Sequence, residues 1–232
     1  MSFQYIAIEG PIGVGKTPLA QRLAERLDAT TVLEEADNPF LADFYAGKPG
    51  AALQTQLFYL LNRHRQQLSL RQGRLFAQTT IADYLFDKDK IFAYLNLDDN
   101  ELFIYQRLYD LLAKDVPAPD LVVYLQAPNE VLARRRRTHT KDEGGAPPPS
   151  ERYLRELNEA YQHFFFHYTA GPLLVIETSQ LDLEGNPDVI DDLIKQIRTM
   201  GRGTRHLHQR RAQSQGADHP ARPHAKAHGR SS

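Results

Sequence analysis

The stretch with the clearest capacity for chemistry lies near the amino terminus and has the spacing of a phosphate-binding loop. Gly10 is followed after four residues by Gly15, and Lys16 and Thr17 come directly after it, which is the G-x-x-x-x-G-K-[ST] pattern. Glycines let the backbone form a concave nest whose N–H groups point at phosphate oxygens. Lys16 adds a positive charge beside the β- and γ-phosphates, and the hydroxyl of Thr17 reaches Mg²⁺. The predicted nucleotide-binding loop comprises Gly10, Pro11, Ile12, Gly13, Val14, Gly15, Lys16 and Thr17.

Apolar residues on both sides of this loop predict the elements that hold it. The run 3–8 is short and ends just before Gly10, and Leu19, Leu23 and Leu27 follow the loop at intervals of four. The first pattern is typical of a strand and the second of a helix. A helix that begins at the loop adds its positive N-terminal dipole to the anion site. This strand–loop–helix order argues against a glycine-rich turn that matches by chance.

Further apolar runs are short and unalternated, which is typical of strands buried on both faces of a parallel sheet. The predicted strands are 3–8, 31–33, 79–82, 121–125 and 173–176. Helical patterns lie between and after them, over 53–68, 97–115, 129–137, 151–168 and 187–199. This alternation predicts an α/β fold with a five-stranded parallel sheet flanked by helices. In such sheets, ligands bind at the carboxyl ends of the strands.

Length and composition narrow the class of protein. A chain of 232 residues is long enough for one α/β domain with a full core. It has no cysteine, which excludes disulfides, thiolate zinc sites and cysteine nucleophiles, and agrees with a reducing compartment. No apolar run has the length of a membrane span, and the first residues lack a signal-type apolar core. We therefore expect a cytoplasmic protein that does not insert into a membrane.

Charge is distributed unevenly along the chain. Residues 201–232 carry seven Lys or Arg and one acid, which leaves 21 basic and 28 acidic side chains in residues 1–200. The last segment has almost no apolar content and is predicted to be a disordered tail, with its five histidines solvated. The expected organisation is one domain, 1–200, followed by the basic tail 201–232. The acidic body argues against a nucleic-acid-binding domain.

Several later stretches carry a more specific pattern. They are Glu34 with Asp37-Asn38-Pro39-Phe40-Leu41, then Phe44-Tyr45, the stretch 53–63, the stretch 81–93, and Tyr153-Leu154 with 158–161 and 164–168. In this order they resemble the bacterial deoxynucleoside kinases, and the stretch 81–93 resembles the deoxyguanosine/deoxyadenosine kinase branch. The resemblance covers about residues 3–199.

The resemblance implies a P-loop kinase fold with an arginine-rich lid, in a homodimer. It implies transfer of the γ-phosphoryl of ATP to the 5′-hydroxyl of a deoxynucleoside. Loop residues 10–17 would bind ATP, and Mg²⁺ would be a cofactor. Because the transition state of this transfer is loose, the protein mainly positions the reactants and neutralises charge. Lys16 suits that task, as do arginines of the segment 134–137, with Arg135 and Arg137 as the catalytic candidates. The Gly/Pro-rich segment 142–150 that follows favours a lid over a solvated helix face.

A carboxylate near the 5′-hydroxyl would accept its proton. By the resemblance the candidate is Glu34, after the second predicted strand, and Glu35 is the alternative because the alignment can shift by one residue. Either residue could instead be an ordinary exposed loop acid. Asp83 ends the third predicted strand beside the loop. By the resemblance it helps Thr17 to hold Mg²⁺, or serves as the base itself. Its alternative is a helix N-cap.

Three more residues are implied to bind the nucleoside together with Glu34. Gln56 offers a donor and an acceptor to a base edge, and it lies seven residues before Arg63, as in the family. Tyr45 lies eleven residues before Gln56 and matches a tyrosine that contacts the sugar 3′-hydroxyl. The alternatives are a half-buried polar helix residue for Gln56 and a core aromatic for Tyr45.

Two positions depart from the family pattern. Many members have arginine directly after the acid at position 83, and this chain has Tyr84. That form occurs in the deoxyguanosine kinase branch, so it favours a purine deoxynucleoside as substrate. The family usually has a sugar-binding glutamate just before the Tyr-Leu at 153–154, where this chain has Arg152. We therefore assign no sugar-binding role there.

Two other functions stay open as alternatives. A nucleoside monophosphate kinase, such as a thymidylate kinase, shares the loop and lid but usually needs arginines on its early helices. Residues 28–56 contain no arginine and only Lys48 as a basic residue, which counts against it. A nucleotide-gated protein whose basic tail contacts nucleic acid would bind with a steep salt dependence. We expect no nucleic acid partner.

Overall fold

The computed structural model contains a parallel α/β sheet. It describes residues 3–35, 37–73, 79–139, 149–183 and 186–207. The strands run in the order β2-β3-β1-β4-β5-β6, and every neighbouring pair is parallel. They are β1 (Tyr5–Glu9), β2 (Thr30–Val32), β3 (Thr80–Ala82), β4 (Leu121–Gln126), β5 (Leu173–Glu177) and β6 (Thr204–Leu207).

The sixth strand corrects the predictions of five strands and of a disordered tail from residue 201. Thr204–Leu207 pairs in register with β5, and Leu207 packs against the core. Arg205 also donates to the carbonyl of Thr199 at 2.9 Å. Composition misses such a strand because main-chain hydrogen bonds to a neighbouring strand hold it, with little apolar burial of its own. The rest of the tail, 208–232, lies outside the described residues, as does 142–148 of the Gly/Pro-rich segment.

Eight α-helices lie in the described part of the chain. They are α1 (Lys16–Leu27), α2 (Leu41–Tyr45), α3 (Ala51–Gly73), α4 (Lys88–Asn96), α5 (Asp99–Leu112), α6 (Asn129–His139), α7 (Glu151–Phe166) and α8 (Pro187–Arg198). The five helical patterns between and after the predicted strands correspond to α3, α5, α6, α7 and α8. Helices α2 and α4 were not predicted, because both are too short for a clear apolar period. None of these helices combines the length and apolar content needed to cross a bilayer.

The central strand β4 shows how the sheet builds two cores. Leu121, Val123 and Leu125 pack on one face, in the core that also contains buried residues of α1 and α8. Val122 and Tyr124 point to the other face, in the core that contains buried residues of α4 and α7. Side chains alternate between faces along a strand, so a continuous apolar run fills both cores. The unalternated pattern therefore predicted the two-sided burial of β4 correctly. The same expectation was wrong for β2, which lies at the edge of the sheet with Thr30 and Thr31 exposed.

A third apolar cluster joins α3, α4 and α5 beyond the carboxyl ends of the strands. Its buried members are Leu60, Phe86, Ala93, Tyr105 and Tyr109. Helix α5 begins with a capping box. The side chain of Asp98 accepts from the backbone N–H of Glu101, and the side chain of Glu101 accepts from the backbone N–H of Asp98. This cluster fixes α3 and α4 to each other, and these two helices supply most of the polar residues described next.

Candidate active site

The phosphate loop connects β1 to α1 and depends on its glycines. Gly13 and Gly15 have φ of 82° and 100°, values that glycine adopts without strain. A Cβ on Gly10 would lie 2.4 Å from the carbonyl oxygen of Leu125. The loop therefore approaches β4 so closely that only glycine fits at position 10. Lys16 donates from Nζ to the carbonyl of Gly10 at 2.8 Å. The loop therefore has the predicted strand–loop–helix arrangement.

Thr17 and Asp83 meet at the carboxyl end of the sheet. The hydroxyl of Thr17 donates to Oδ2 of Asp83 at 2.5 Å, and the backbone N–H of Glu34 donates to Oδ1 at 2.7 Å. Asp83 thus links the start of α1 to the segment that follows β2. It does not act as a helix N-cap, because α4 begins only at Lys88.

Glu34, whose side chain is 21% exposed, forms with three buried charged residues a group that we call the ion cluster: Glu34, Arg63, Lys88 and Asp89. Arg63 donates to Oε1 of Glu34 from Nε at 2.8 Å and from a terminal nitrogen at 2.6 Å. Lys88 donates to Oε2 at 2.5 Å. Burial by itself would raise the pKa of Glu34, but the charges of Lys88 and Arg63 outweigh burial and hold that pKa well below its ordinary value. Glu35, the alternative proton acceptor, is exposed instead.

Asp89 connects the ion cluster to Gln56. Its carboxylate pairs with Arg63 and also accepts from the hydroxyl of Tyr105 at 2.8 Å. Its main-chain carbonyl accepts from Nε2 of Gln56 at 2.9 Å. Gln56 is 4% exposed and Asp89 is fully buried. Asp89 therefore joins two predicted nucleoside-binding residues, Gln56 and Arg63, and Arg63 in turn contacts Glu34. The sequence did not predict the role of Asp89.

Tyr45 lies at the end of α2, among aromatic side chains. Its ring centroid is 6.5 Å from that of Tyr153 on α7 and 5.1 Å from that of Phe44. Tyr59 contacts the ion cluster, because the guanidinium carbon of Arg63 lies over the Tyr59 ring, 4.8 Å from its centroid. Tyr45 is half-buried. It therefore packs against other aromatic side chains, as a core aromatic would, and part of its side chain is also accessible to solvent.

The two arginine candidates of α6 point in different directions. Arg135 donates to the hydroxyl of Thr178 at 2.9 Å, to the carbonyl of Thr178 at 2.5 Å and to the carbonyl of Val14 in the phosphate loop at 3.3 Å. Arg137 is 75% exposed and pairs with Glu151 at 3.8 Å. A cavity of about 430 Å³ lies between α6, α7 and the loop. It is lined by Pro11, Ile12, Asn129, Glu130, Leu132, Ala133, Arg134, Arg136, Arg137, Glu151, Leu154, Arg155 and Leu157.

Comparison with known proteins identifies the family. The family model for deoxynucleoside kinases matches residues 6–201 of this chain. The chain belongs to the deoxynucleoside kinase family. The predicted family, enzyme class and parallel P-loop kinase fold are thereby confirmed, apart from the number of strands.

Named relatives are bacterial and eukaryotic deoxynucleoside kinases. The chain is 36% identical to a deoxyguanosine kinase of Bacillus subtilis over 137 residues, which cover 56% of this chain and 64% of that protein. It is 26% identical to a deoxyadenosine/deoxycytidine kinase of the same organism over 83% of this chain and 90% of that protein. It is 34% identical to a deoxyadenosine kinase of Dictyostelium discoideum over 69% of this chain and 66% of that protein.

Solved structures share the fold of this deoxynucleoside kinase. The structure of deoxyadenosine kinase from M. mycoides with bound dATP has a TM-score of 0.70 and 22% identity to this chain. The aligned region covers 84% of this chain and 100% of the solved chain. A structure of the same kinase with bound dCTP also has a TM-score of 0.70, at 21% identity.

The kinase contains a buried acid, Glu9, that sequence reasoning missed. Its carboxylate accepts from the N–H of Gly10 at 2.9 Å, from the N–H of Leu85 at 2.8 Å and from the hydroxyl of Tyr161 at 3.0 Å. Burial raises the pKa of the Tyr161 phenol and the charge of Glu9 raises it further, so the phenol stays a donor. Glu9 thus fixes the first residue of the phosphate loop to the segment after Asp83 and to α7.

Lys88 and Asp89 were also missed, although one signal points to them. Both lie in the charged run Asp87-Lys88-Asp89-Lys90, which by composition is typical of a solvated face. Lys88 and Ile91, three residues apart, share a helical face, and Ile91 is buried in the core. A lysine in register with core residues is a signal for a buried ion pair.

Proposed function

We propose that this kinase transfers the γ-phosphoryl of ATP to the 5′-hydroxyl of a deoxynucleoside, and that it prefers a purine. The observation that carries the proposal is the contact of Arg63 with Glu34. It joins an acid beside the phosphate loop to the helix that carries Gln56, so a proton acceptor and a base reader belong to one connected site. The deoxyguanosine and deoxyadenosine kinases among the relatives support the purine preference.

The phosphate loop would bind the triphosphate of ATP through its main-chain N–H groups and Lys16. Thr17 and Asp83 present a hydroxyl and a carboxylate side by side, and oxygen ligands of this kind suit Mg²⁺. These two residues would hold the ion, which when bound neutralises charge on the phosphates. Two hydrogen bonds hold the carboxylate of Asp83 beside the start of α1, which supports the metal role over the role of base.

Glu34 would accept the proton of the 5′-hydroxyl. Its depressed pKa keeps it ionised at neutral pH, so it is ready to accept a hydrogen bond. A strongly stabilised carboxylate is a weak base, yet in a loose transition state the nucleophile gives up its proton late. Orientation of the hydroxyl therefore matters more than early deprotonation, and both oxygens of Glu34 are held by cations.

The nucleoside base would contact Gln56, whose amide is held in place by the carbonyl of Asp89. A fixed amide reads a base edge because its donor and acceptor point in known directions. Arg63 and Asp89 would line the same end of the site. Tyr45, half-buried at the end of α2, would contact the 3′-hydroxyl of the sugar.

The arginine segment would contribute at the phosphate side. Arg137 is exposed, and with Arg134 and Arg136 it lines the cavity next to Pro11 and Ile12 of the loop. Its side chain is long and its pair with Glu151 is weak, so it would reorient towards phosphate oxygens when nucleotide binds. Arg135, tied to Thr178 and Val14, would set the distance between α6 and the loop.

The kinase would form a homodimer through α5 and the adjacent part of α3. Phe103, Ile104 and Leu111 of α5 are 56%, 53% and 61% exposed, and Leu61 of α3 is 47% exposed. Large apolar side chains grouped on one surface are typical of protein interfaces. Light scattering of the full chain, with the double variant Phe103→Glu/Ile104→Glu as control, tests this. A monomeric wild-type protein would contradict it.

The reaction is tested by incubating the full chain with ATP and Mg²⁺ and, separately, deoxyguanosine, deoxyadenosine, deoxycytidine and thymidine. We expect the 5′-monophosphate of a purine deoxynucleoside as the main product. Glu34→Gln should reduce kcat by about 10²–10⁴-fold, because the proton acceptor is lost. Turnover of deoxynucleoside monophosphates with no turnover of the four nucleosides would favour a monophosphate kinase instead.

A further inference from the structure

Lys88, the first residue of α4, is a buried cation with an acidic partner in the candidate site. Its side chain is 4% exposed, and Nζ lies 2.5 Å from Oε2 of Glu34. Burying an ammonium is costly unless it is paired and hydrogen-bonded. The pair with Glu34 therefore explains how this lysine is accommodated in the interior. Lys88 also lies close enough to Lys16 that its charge helps burial to lower the pKa of Lys16, so it is near the phosphate loop.

Lys88 supplies a cation to Glu34 in a chain that has Tyr84 where many members of the family have arginine. Tyr84 is fully buried, and burial raises the pKa of its phenol, so it carries no charge at neutral pH. In this chain, position 84 supplies no cation to the site. The cation that reaches Oε2 of Glu34 comes from four residues further along.

The two cations hold different oxygens of one carboxylate. Arg63 makes both of its bonds to Oε1 of Glu34, whereas Lys88 bonds to Oε2. A carboxylate held at one oxygen can rotate about its last carbon–carbon bond, because that torsion is broad. Contacts at both oxygens fix the plane of the group, and a fixed plane is what an oriented proton acceptor requires.

We propose that Lys88 is a positioning residue for phosphoryl transfer, which acts by fixing the second carboxylate oxygen of Glu34. This inference rests on the proposed function, because it concerns the acceptor of the 5′-hydroxyl proton. Lys88 acts through Glu34, and nucleotide binding is left to the phosphate loop. Loss of Lys88 therefore lowers kcat and leaves the KM for ATP unchanged.

The test is a double-mutant cycle between Lys88 and Glu34, measured with ATP and the preferred deoxynucleoside. We expect Lys88→Met to lower kcat about 10²-fold, the order of effect that misplacing a reacting group produces. Lys88→Arg keeps a cation in place and should retain kcat within about tenfold. In the Glu34→Gln background, Lys88→Met should change kcat by less than about threefold, because the group that it positions is already lost.

Lys90→Met is the matched control. Lys90 lies on the same helix and pairs with Asp87 at 3.2 Å, with a side chain that is 38% exposed, so its removal should leave kcat unchanged. The variant Glu34→Gln/Lys88→Met removes both charges, so it leaves neither half of this pair buried alone. Thermal unfolding of the two single variants and of this double variant shows whether each protein in the cycle is folded.

Two outcomes would overturn the proposal. One is a kcat of Lys88→Met equal to that of the wild type, and the other is an equal loss from Lys88→Met in the wild-type and Glu34→Gln backgrounds. Either would show that Lys88 does not act through Glu34. If the wild-type protein phosphorylates none of the four deoxynucleosides, the proposed function itself fails, so the two failures are distinguished by the wild-type assay.

Discussion

Thr17 donates its hydroxyl to Asp83 at 2.5 Å, although 66 residues separate them in the chain. The register of the sheet explains the contact. Ala7 of β1 lies beside Ala82 of β3, so the segments that leave these two strands begin at the same edge. Parallel pairing thus brings the start of α1 next to the residue that follows β3. The two oxygens lie beside Lys16 and the phosphate loop.

Under the proposed function, removing either oxygen should weaken the binding of Mg²⁺. We expect Asp83→Asn to raise the Mg²⁺ concentration needed for half-maximal rate by about tenfold or more, because a charged oxygen ligand is lost. The measurement is a titration of the initial rate with Mg²⁺ at fixed ATP. Thr17→Ser keeps the hydroxyl and serves as the control. An unchanged titration for Asp83→Asn would exclude Asp83 from the metal site.

Lys16→Ala should lower kcat by about 10²–10³-fold, because the charge beside the transferring phosphoryl group is lost. Lys16 is hydrogen-bonded to the carbonyl of Gly10, and the fold of the loop should be retained through its glycines. Steady-state kinetics gives kcat, and circular dichroism checks the fold. A variant with wild-type turnover would mean that the loop does not bind the reacting nucleotide.

Gln56→Leu should raise the KM for the deoxynucleoside by about tenfold to 10²-fold, because the proposed hydrogen bonds of its amide to the base would be lost. The KM for ATP is the internal control and should stay the same, since Gln56 lies on α3 and contacts Asp89 rather than the loop. Equal changes in both KM values would indicate a general disturbance of the site.

Arg63→Met should lower the free energy of unfolding by about 3–5 kcal/mol, because it removes the buried cation that two carboxylates share. Arg63 is 5% exposed and bonds to both Glu34 and Asp89. Urea denaturation at neutral pH measures the change. The control is Arg152→Met, whose partner Glu156 lies at the surface and whose side chain is 83% exposed. Its unfolding midpoint should not move.

Stability should depend on pH through Glu34. Its pKa is depressed in the folded protein below the ordinary value of 4.5, so the folded state binds its proton less tightly than the unfolded state does. The resulting stabilisation is complete above pH 4.5 and is lost as the pH falls through this value towards the lower, folded pKa. Urea denaturation from neutral pH to about one unit below the ordinary pKa should therefore show a smaller acid-induced decrease for Glu34→Gln than for the wild type. A parallel decrease in the two proteins would contradict the coupling.

Some features followed from local sequence alone. The spacing of Gly10, Gly15, Lys16 and Thr17 determined the phosphate loop, because a nest of N–H groups requires glycine at fixed intervals. Unalternated apolar runs predicted five of the strands, and burial on two faces explains the pattern in β1, β4 and β5. The sequence spacing of Gln56 and Arg63 also held a physical meaning, because seven residues place both on one side of a helix.

Other features depended on contacts that no local pattern contains. The edge strand β6 forms because β5 offers its main chain to Thr204–Leu207. Lys88 and Asp89 look like surface charges in the sequence, and only the packing of α4 against α3 and α5 buries them with Glu34 and Arg63. The sequence determined which groups this kinase has for its chemistry. Tertiary structure decided which of them share one site, because ion pairs between distant segments form only after the sheet has brought the ends of its strands together.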